Sequence, residues 1–360
     1  MSFFTKLIRR LLDEGHTVDI ACNEKLKPLP PCYCAWGCRV YPISCSRSPF
    51  SASTLTAVRQ IRKIVSEGRY DIVHCHTPVA GACARLACRR LRREGVRVFY
   101  TTHGFHFYKG APLLNWLIYY PVEKLCARMT DTLITINQED YRLAQKRMRA
   151  GRVVYVPGVG VDLGRFRDAT ADRTRKRREL GIPSDAFLLI SVGELNANKN
   201  HQIVIRTLAK LNDSRIHYLV AGIGPEKTGL ESLAASLGVA ERVHLVGYRD
   251  DVAQLYKIAD VNVFPSIREG LGLASIEGMA AGLPLVCADN RGTREYATVY
   301  RQDGFENMCS TVDDYAAAIR RLESDAALYQ KLSRIGYDAV KKFSAAEINR
   351  KMMMLYESGS

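Results

Sequence analysis

A chain of 360 residues, 47% hydrophobic and 25% charged with no low-complexity tract, has the composition of a globular protein of about two domains, at ~100–200 residues each. No apolar run reaches the ~18 residues that span a bilayer and the N-terminal residues carry no secretory cleavage pattern, so a cytoplasmic chain is expected. The formal net charge of +15 points to an anionic partner.

In chain order, MSFFTKLIRRLLDEG reads as a helix, followed by a strand in TVDIAC and a cysteine-rich stretch. Cys32, Cys34, Cys38 and Cys45 lack the paired knuckles of a zinc site, so they read as free, partly buried thiols, with no metal and no cofactor expected. A helix from about Ser53 to Glu67 leads to the apolar run DIVHCH. Another helix and the runs VRVFYTTH, TLITIN (132–137) and VVYVPG (153–158) follow. Apolar runs alternating with helices are the rhythm of βαβ units and imply parallel sheets covered on both faces.

Glycines and a proline cluster at Pro157, Gly158, Gly160 and Gly164, which marks a domain boundary near Asp162. A second cycle then runs through FLLISVGE, IHYLVAG, RVHLVG, VNVFP and LPLVCA. The expected fold is α/β, with doubly wound parallel sheets in domains 1–162 and 163–340. Residues 341–360 form a C-terminal helix that crosses back to the first domain.

Basic clusters lie at Arg85–Arg97, Tyr141–Arg152 and Arg165–Arg178. No zinc-finger spacing, RNP-like strand or basic zipper accompanies them, so nucleic acid is not the expected partner. An anionic membrane surface fits better, although any one cluster also reads as a solvated helix face.

In open parallel sheets ligands bind beyond the carboxyl ends of the strands, so the residues directly after each apolar run are the candidates. In the first half these are His74, His76, His103 and Gly104. Lys199 follows the second-half strand LLISVG in GELNANKNH, and a lysine there suits a diphosphate. Gly222 and Gly224 allow either close backbone approach to a phosphate or an ordinary tight turn. Tyr248 and Arg249 follow the next strand. In REGLGLASIEGMAAGLP, Gly270 and Gly272 open a helix whose amides suit a phosphate, and Glu269 and Glu277 flank it as acceptors for sugar hydroxyls.

These motifs carry a resemblance. HCHTP (74–78), TTHGFHFYKGAPLLNWLIYYPVEK (101–124), VPGVGVD (156–162), VGELNANKNH (192–201), GIGP (222–225), VGYRDDV (246–252) and EGLGLASIEGMAAGLP occur in order along the chain. The whole chain resembles the family 4 retaining glycosyltransferases of GT-B fold, in the branch that builds capsular and exopolysaccharides. The resemblance implies two Rossmann-like domains facing a cleft and transfer of a sugar from a UDP-sugar without an essential metal.

Carried over by position, Glu269 holds the donor sugar and Glu277 the ribose. Lys199 with Gly270, Leu271 and Gly272 meets the diphosphate, in a loop that also holds Gly193 and Glu194, and Tyr248 with Arg249 borders the base. His103 faces the donor sugar, while His76 and Gly104 line the acceptor side. The implied acceptor is a polyprenyl-diphosphate-linked saccharide at the inner face of the cell membrane. Residues 105–120, aromatic and aliphatic, suit an interfacial role there or ordinary core.

The family opens with a strand and a glycine loop ahead of its first helix, whereas this chain begins inside what reads as that helix. A truncated start is therefore one expectation, with a non-catalytic nucleotide-sugar-binding remnant or partner subunit as the alternative function. A GT-B-fold UDP-sugar epimerase is a second alternative.

Overall fold

The computed structural model describes residues 4–24, 29–46 and 53–358. It divides into two compact units, Met1–Gly160 with Ala345–Ser360, and Val161–Ser344. The first division falls two residues before Asp162. The second falls at Ser344 because Val161 N donates to Phe343 O and bridges Ser344, which ties residues 341–344 to the second unit.

In the first unit β1 (Ile20–Cys22) and β2 (Val40–Pro42) form a parallel pair. β3 (Ile72–His76), β4 (Arg97–Thr102), β5 (Thr132–Thr135) and β6 (Arg152–Tyr155) form a separate parallel sheet in that order. The described chain enters on the helix Thr5–Asp13, and no strand ahead of it lies among the described residues. Alternation along the strands splits the core in two. Val98, Tyr100 and Leu133 pack under the helices Ser53–Gly68 and Pro78–Ala87. Phe99, Ile134 and Val156 pack against Leu7 of the first helix and Ile348, Met352 and Met353 of the C-terminal helix Ala345–Glu357.

The second unit holds β7 (Phe187–Val192), β8 (Ile216–Ala221), β9 (Val243–Leu245), β10 (Val261–Phe264), β11 (Leu285–Ala288) and β12 (Met308–Cys309). They form one parallel sheet in the order β12-β11-β10-β7-β8-β9. Strand order reverses between β7 and β10, so the crevice at their carboxyl ends is the topological switch point where such sheets bind ligands.

The amino ends of both sheets are closed by the same device. Asp131, just before β5, accepts the amide of Val98 in β4 at 2.7 Å and is held by Arg92 Nε at 3.0 Å. Asp260, just before β10, accepts the amide of Leu188 in β7 at 2.7 Å and two arginines, Arg173 at 2.6 Å and Arg177 at 2.9 Å. Arg177 is fully buried and also donates to the carbonyls of Ile258, Ser184 and Ala186. Parts of the basic clusters are therefore internal fasteners rather than solvated or lipid-facing charge.

Arg85 is a third case. Its guanidinium is buried, donates to Glu123 Oε2 at 2.8 Å and lies over the Tyr100 ring at 3.9 Å, while Tyr100 donates to Glu123 Oε1 at 2.9 Å. This network ties the helix Pro78–Ala87 to the helix Leu113–Ala127 across the end of β4. Removing one partner strands a buried charge, so Glu123→Ala is expected to cost about 3–5 kcal/mol in urea unfolding, whereas the neutral isostere Glu123→Gln costs less. Equal and small losses in both variants would show that the pair contributes no net stability.

Candidate active site at the carboxyl ends of the strands

The loops after β7 and β10 are stitched together at the switch point. Ile267 N donates to Asn198 O at 2.8 Å and Asn198 Nδ2 to Arg268 O at 3.0 Å. On this frame Lys199 Nζ donates to Glu269 Oε1 at 2.7 Å, above the ring of Phe264 at 5.2 Å. The two side chains, at 21% and 17% exposure, are accessible enough to exchange each other for a ligand. Lys199 and Glu269, separate in the sequence-based assignment, meet in one ion pair.

The next turn builds a helix start. Gly272 sits at φ +88°, where only glycine is comfortable, and a Cβ there would strike Phe264 and the Tyr296 hydroxyl. Tyr296 donates to Leu271 O at 2.8 Å and shares a hydrogen bond with Ser275, and Tyr256 donates to Ala274 O at 2.7 Å. Asn262 Nδ2 donates to Ser275 O at 3.0 Å. The helix Leu273–Ala280 is thereby held rigidly with its positive end beside the Lys199–Glu269 pair.

Glu277 lies one turn further along, where burial pushes its carboxyl up to about 7 against the opposing pull of Arg165. A carboxylate so poorly solvated gains from hydroxyl donors that a ligand brings.

Gly222 and Gly224 have a packing cause. A Cβ on Gly222 would come within 1.8 Å of Gly193 O and one on Gly224 within 2.3 Å of Leu195 O. Leu195 N also donates to Ile223 O at 3.0 Å, which extends the β7–β8 pairing into both loops. Arg249 is committed to Asp251 at 2.7 Å and to Glu179 at 3.2 Å, while Tyr248 and Glu194 remain exposed.

One loop of this site was missed in the sequence. Asn290 accepts the amides of Gly292 and Thr293 and donates to Ser266 O, and Arg291 Nε donates to Glu269 O at 3.3 Å. Gly292 rests on the Leu271 backbone, 2.9 Å from where its Cβ would be. The segment follows directly on β11, so the strand-end rule that selected the other loops also points to it.

In the first unit, the ends of β3 and β4 gather three histidines. His103 Nε2 and His76 Nδ1 are 3.2 Å apart, and His74 bonds Tyr356 at 2.6 Å and Thr101 at 2.8 Å. Burial lowers His103 to about 4 and His74 to about 3, the latter with help from His103, and takes His76 well below its ordinary value. All three are neutral near pH 7 and act as hydrogen-bonding groups rather than cations. Phe4 packs against His76 in a tilted arrangement with ring centres 4.3 Å apart. The loop carrying Gly104 is fixed by Phe105 N donating to Asp140 Oδ2 at 3.1 Å.

All eleven cysteines are free, and Cys38 joins a small apolar cluster with Ile8, Ile20 and Tyr33. Among the described residues no group of three His, Cys, Asp or Glu side chains is placed to hold a metal ion.

Comparison with known proteins places both halves. Residues 2–158 match the glycosyl transferase 4-like domain and residues 172–339 the glycosyl transferases group 1. The chain is 42% identical to EpsD of Bacillus subtilis (strain 168), which bears the provisional name of a glycosyltransferase, over 96% of this chain and 90% of that one. It is 28% identical to the UDP-Gal:alpha-D-GlcNAc-diphosphoundecaprenol alpha-1,3-galactosyltransferase of Escherichia coli, over 74% and 70% of the two chains. Among solved structures, HepE of Anabaena in complex with UDP matches with a TM-score of 0.80 at 20% identity, over 98% of this chain and 94% of that one. Sucrose-phosphate synthase of Thermosynechococcus elongatus matches at 0.79 and 21%, over 99% and 92%. With its two Rossmann-like sheets the fold is GT-B, and the chain belongs to the glycosyltransferases.

Proposed function

We propose that this chain is a retaining glycosyltransferase of family 4 that moves a sugar from a UDP-sugar to a lipid-linked saccharide in surface polysaccharide synthesis. The observation that carries the reading is the Lys199–Glu269 pair beside the start of the helix Leu273–Ala280, at the switch point of the second sheet. A diphosphate seated at that helix end takes the lysine, and Glu269 is released to accept hydroxyls of the donor sugar. Glu277, further along the same helix, accepts the ribose hydroxyls, with Tyr248 toward the base. Neutral His103 serves the donor sugar as a hydrogen-bonding group, and His76 with Gly104 serves the acceptor.

Breaking the glycosidic bond places negative charge on the leaving diphosphate, so fixed donors at the phosphate supply the main rate gain and no added metal is needed. The lipid-linked acceptor is supported by the named substrate of the Escherichia coli relative, and it places the enzyme at the inner membrane surface. Phe4 packed on His76 favours a second reading, in which the chain binds the nucleotide-sugar without transferring it.

Calorimetry is expected to show UDP binding with little affinity for AMP, and Glu277→Ala is expected to weaken UDP by roughly tenfold or more, the effect of losing a charge-assisted bond pair. Equal affinity for UDP and AMP would overturn the donor assignment. Radiolabelled UDP-sugars with a lipid extract label lipid if the chain is a transferase, change only the free UDP-sugar if it is an epimerase, and do neither if it only binds.

Glu277 also predicts a pH dependence. Its proton is held more tightly in the folded protein than in the unfolded chain, so its contribution favours folding at low pH and is lost as the pH rises from the ordinary glutamate range toward 7. Without ligand, Glu277→Gln and wild type are expected to melt together near about pH 4.5, with the variant increasingly more stable toward about pH 8. A melting difference that does not change with pH would remove buried carboxylate charge as its cause.

A further inference from the structure

We propose that the outer face of the helix Leu113–Ala127 is the surface by which the first unit docks on an anionic lipid membrane. The helix has two sharply different sides. Trp116, Tyr119 and Tyr120 pack against the core, and Glu123, Cys126 and Ala127 are buried. Trp116 Nε1 and Asn115 Nδ2 further pin the inner side to the carbonyls of Tyr108 and His106.

On the other side Leu113, Leu114 and Leu117 are 80%, 63% and 73% exposed, and Val122 and Leu125 continue the stripe. At about 100° per residue Leu113, Leu114 and Leu117 lie within about 100° of one another and form an exposed apolar patch on the first turns, and Val122 and Leu125 carry it round the helix to about 18 Å from Leu113 at 1.5 Å per residue. Large aliphatic side chains grouped this way on a surface mark a contact site. The aromatic half of residues 105–120 is core instead, with Phe105 and Phe107 buried.

Charge selects the occupant. Lys109, Lys124 and Arg128 are exposed around this face. Arg92 Nη1 donates to Arg128 O at 3.1 Å, which brings the Arg89–Arg93 cluster to the end of the helix. The first unit carries 27 Lys and Arg against 13 Asp and Glu, a net of +14, whereas the second carries 25 against 24. Nearly all of the chain's net positive charge therefore lies in the unit that bears the stripe. A second copy would set like charges against each other, while a surface of acidic lipid satisfies both the leucines and the cations. The helix lies in the interface rather than across it, since no helix among the described residues is long and apolar enough to cross a membrane. The docking deepens the proposed function and rests on its lipid-linked acceptor for purpose, but not for its test.

Flotation of the full chain with phosphatidylglycerol–phosphatidylcholine vesicles is expected to carry wild type to the lipid layer, with none floating on phosphatidylcholine alone. Leu114→Asp with Leu117→Asp, and separately Lys124→Glu with Arg128→Glu, are expected to lower vesicle affinity by about tenfold or more. Both pairs alter exposed side chains, so melting temperature and UDP affinity should stay at wild-type values. Wild type that fails to float, or floating unchanged by the leucine substitutions, overturns the proposal. So does sedimentation that shows a dimer which the leucine substitutions dissociate, because the occupant is then a second copy. Loss of UDP binding with flotation intact would overturn the donor site and leave the docking surface standing.

Discussion

Each of the two larger sheets depends on an aspartate that stands one residue ahead of a strand and accepts an amide from the neighbouring strand. Asp131 does this for β4 and Asp260 for β7. An amide at the beginning of a parallel ladder is easily left without a partner, and a carboxylate held by arginine satisfies it at modest desolvation cost. Because these anchors close the amino ends, the carboxyl ends are free to carry loops whose side chains answer to ligands instead of to the core. The proposed donor site lies at those ends.

That division also bears on how a near-neutral unit would attract the diphosphate of the proposed donor. The second unit has almost no net charge, so a broad field is not what would recruit such a ligand. On the proposed reading one lysine, one helix end and the ring beneath the lysine act locally, with Glu269 paired to that lysine in the structure described above. The first unit shows the opposite economy, with a large net charge spread over its surface and neutral histidines at its strand ends. On the two proposals, local placement would serve a small ligand and diffuse charge an extended one.

Much of this was legible in the chain because buried parallel strands are written as apolar runs, and β1 and β3 to β11 each follow one. β2 and β12 were not, since Val40–Pro42 and Met308–Cys309 sit among arginine, proline, asparagine and serine and do not stand out as such runs. The strand-end rule found Lys199, Glu269 and Glu277 but could not pair the first two, which lie 70 residues apart and meet only because β7 and β10 are neighbours. Composition marked residues 105–120 as rich in apolar groups without saying which point outward. The answer depended on Phe105 and Phe107 finding the core and on Leu113, Leu114 and Leu117 lying on the helix face that does not. Arg85 and Arg177 looked like surface charge because sequence does not display the carbonyls and carboxylates that surround them.

Gly222 and Gly224 set a limit on how such a site can diversify. Their backbones lie against those of Gly193 and Leu195, so the floor between the loops after β7 and β8 is peptide on peptide and admits no side chain of any kind. Side-chain variation around this floor is left to the exposed rim, where Glu194 and Tyr248 stand free of the packing. Substitution on that rim leaves the fold intact, whereas substitution on the floor forces two loops apart.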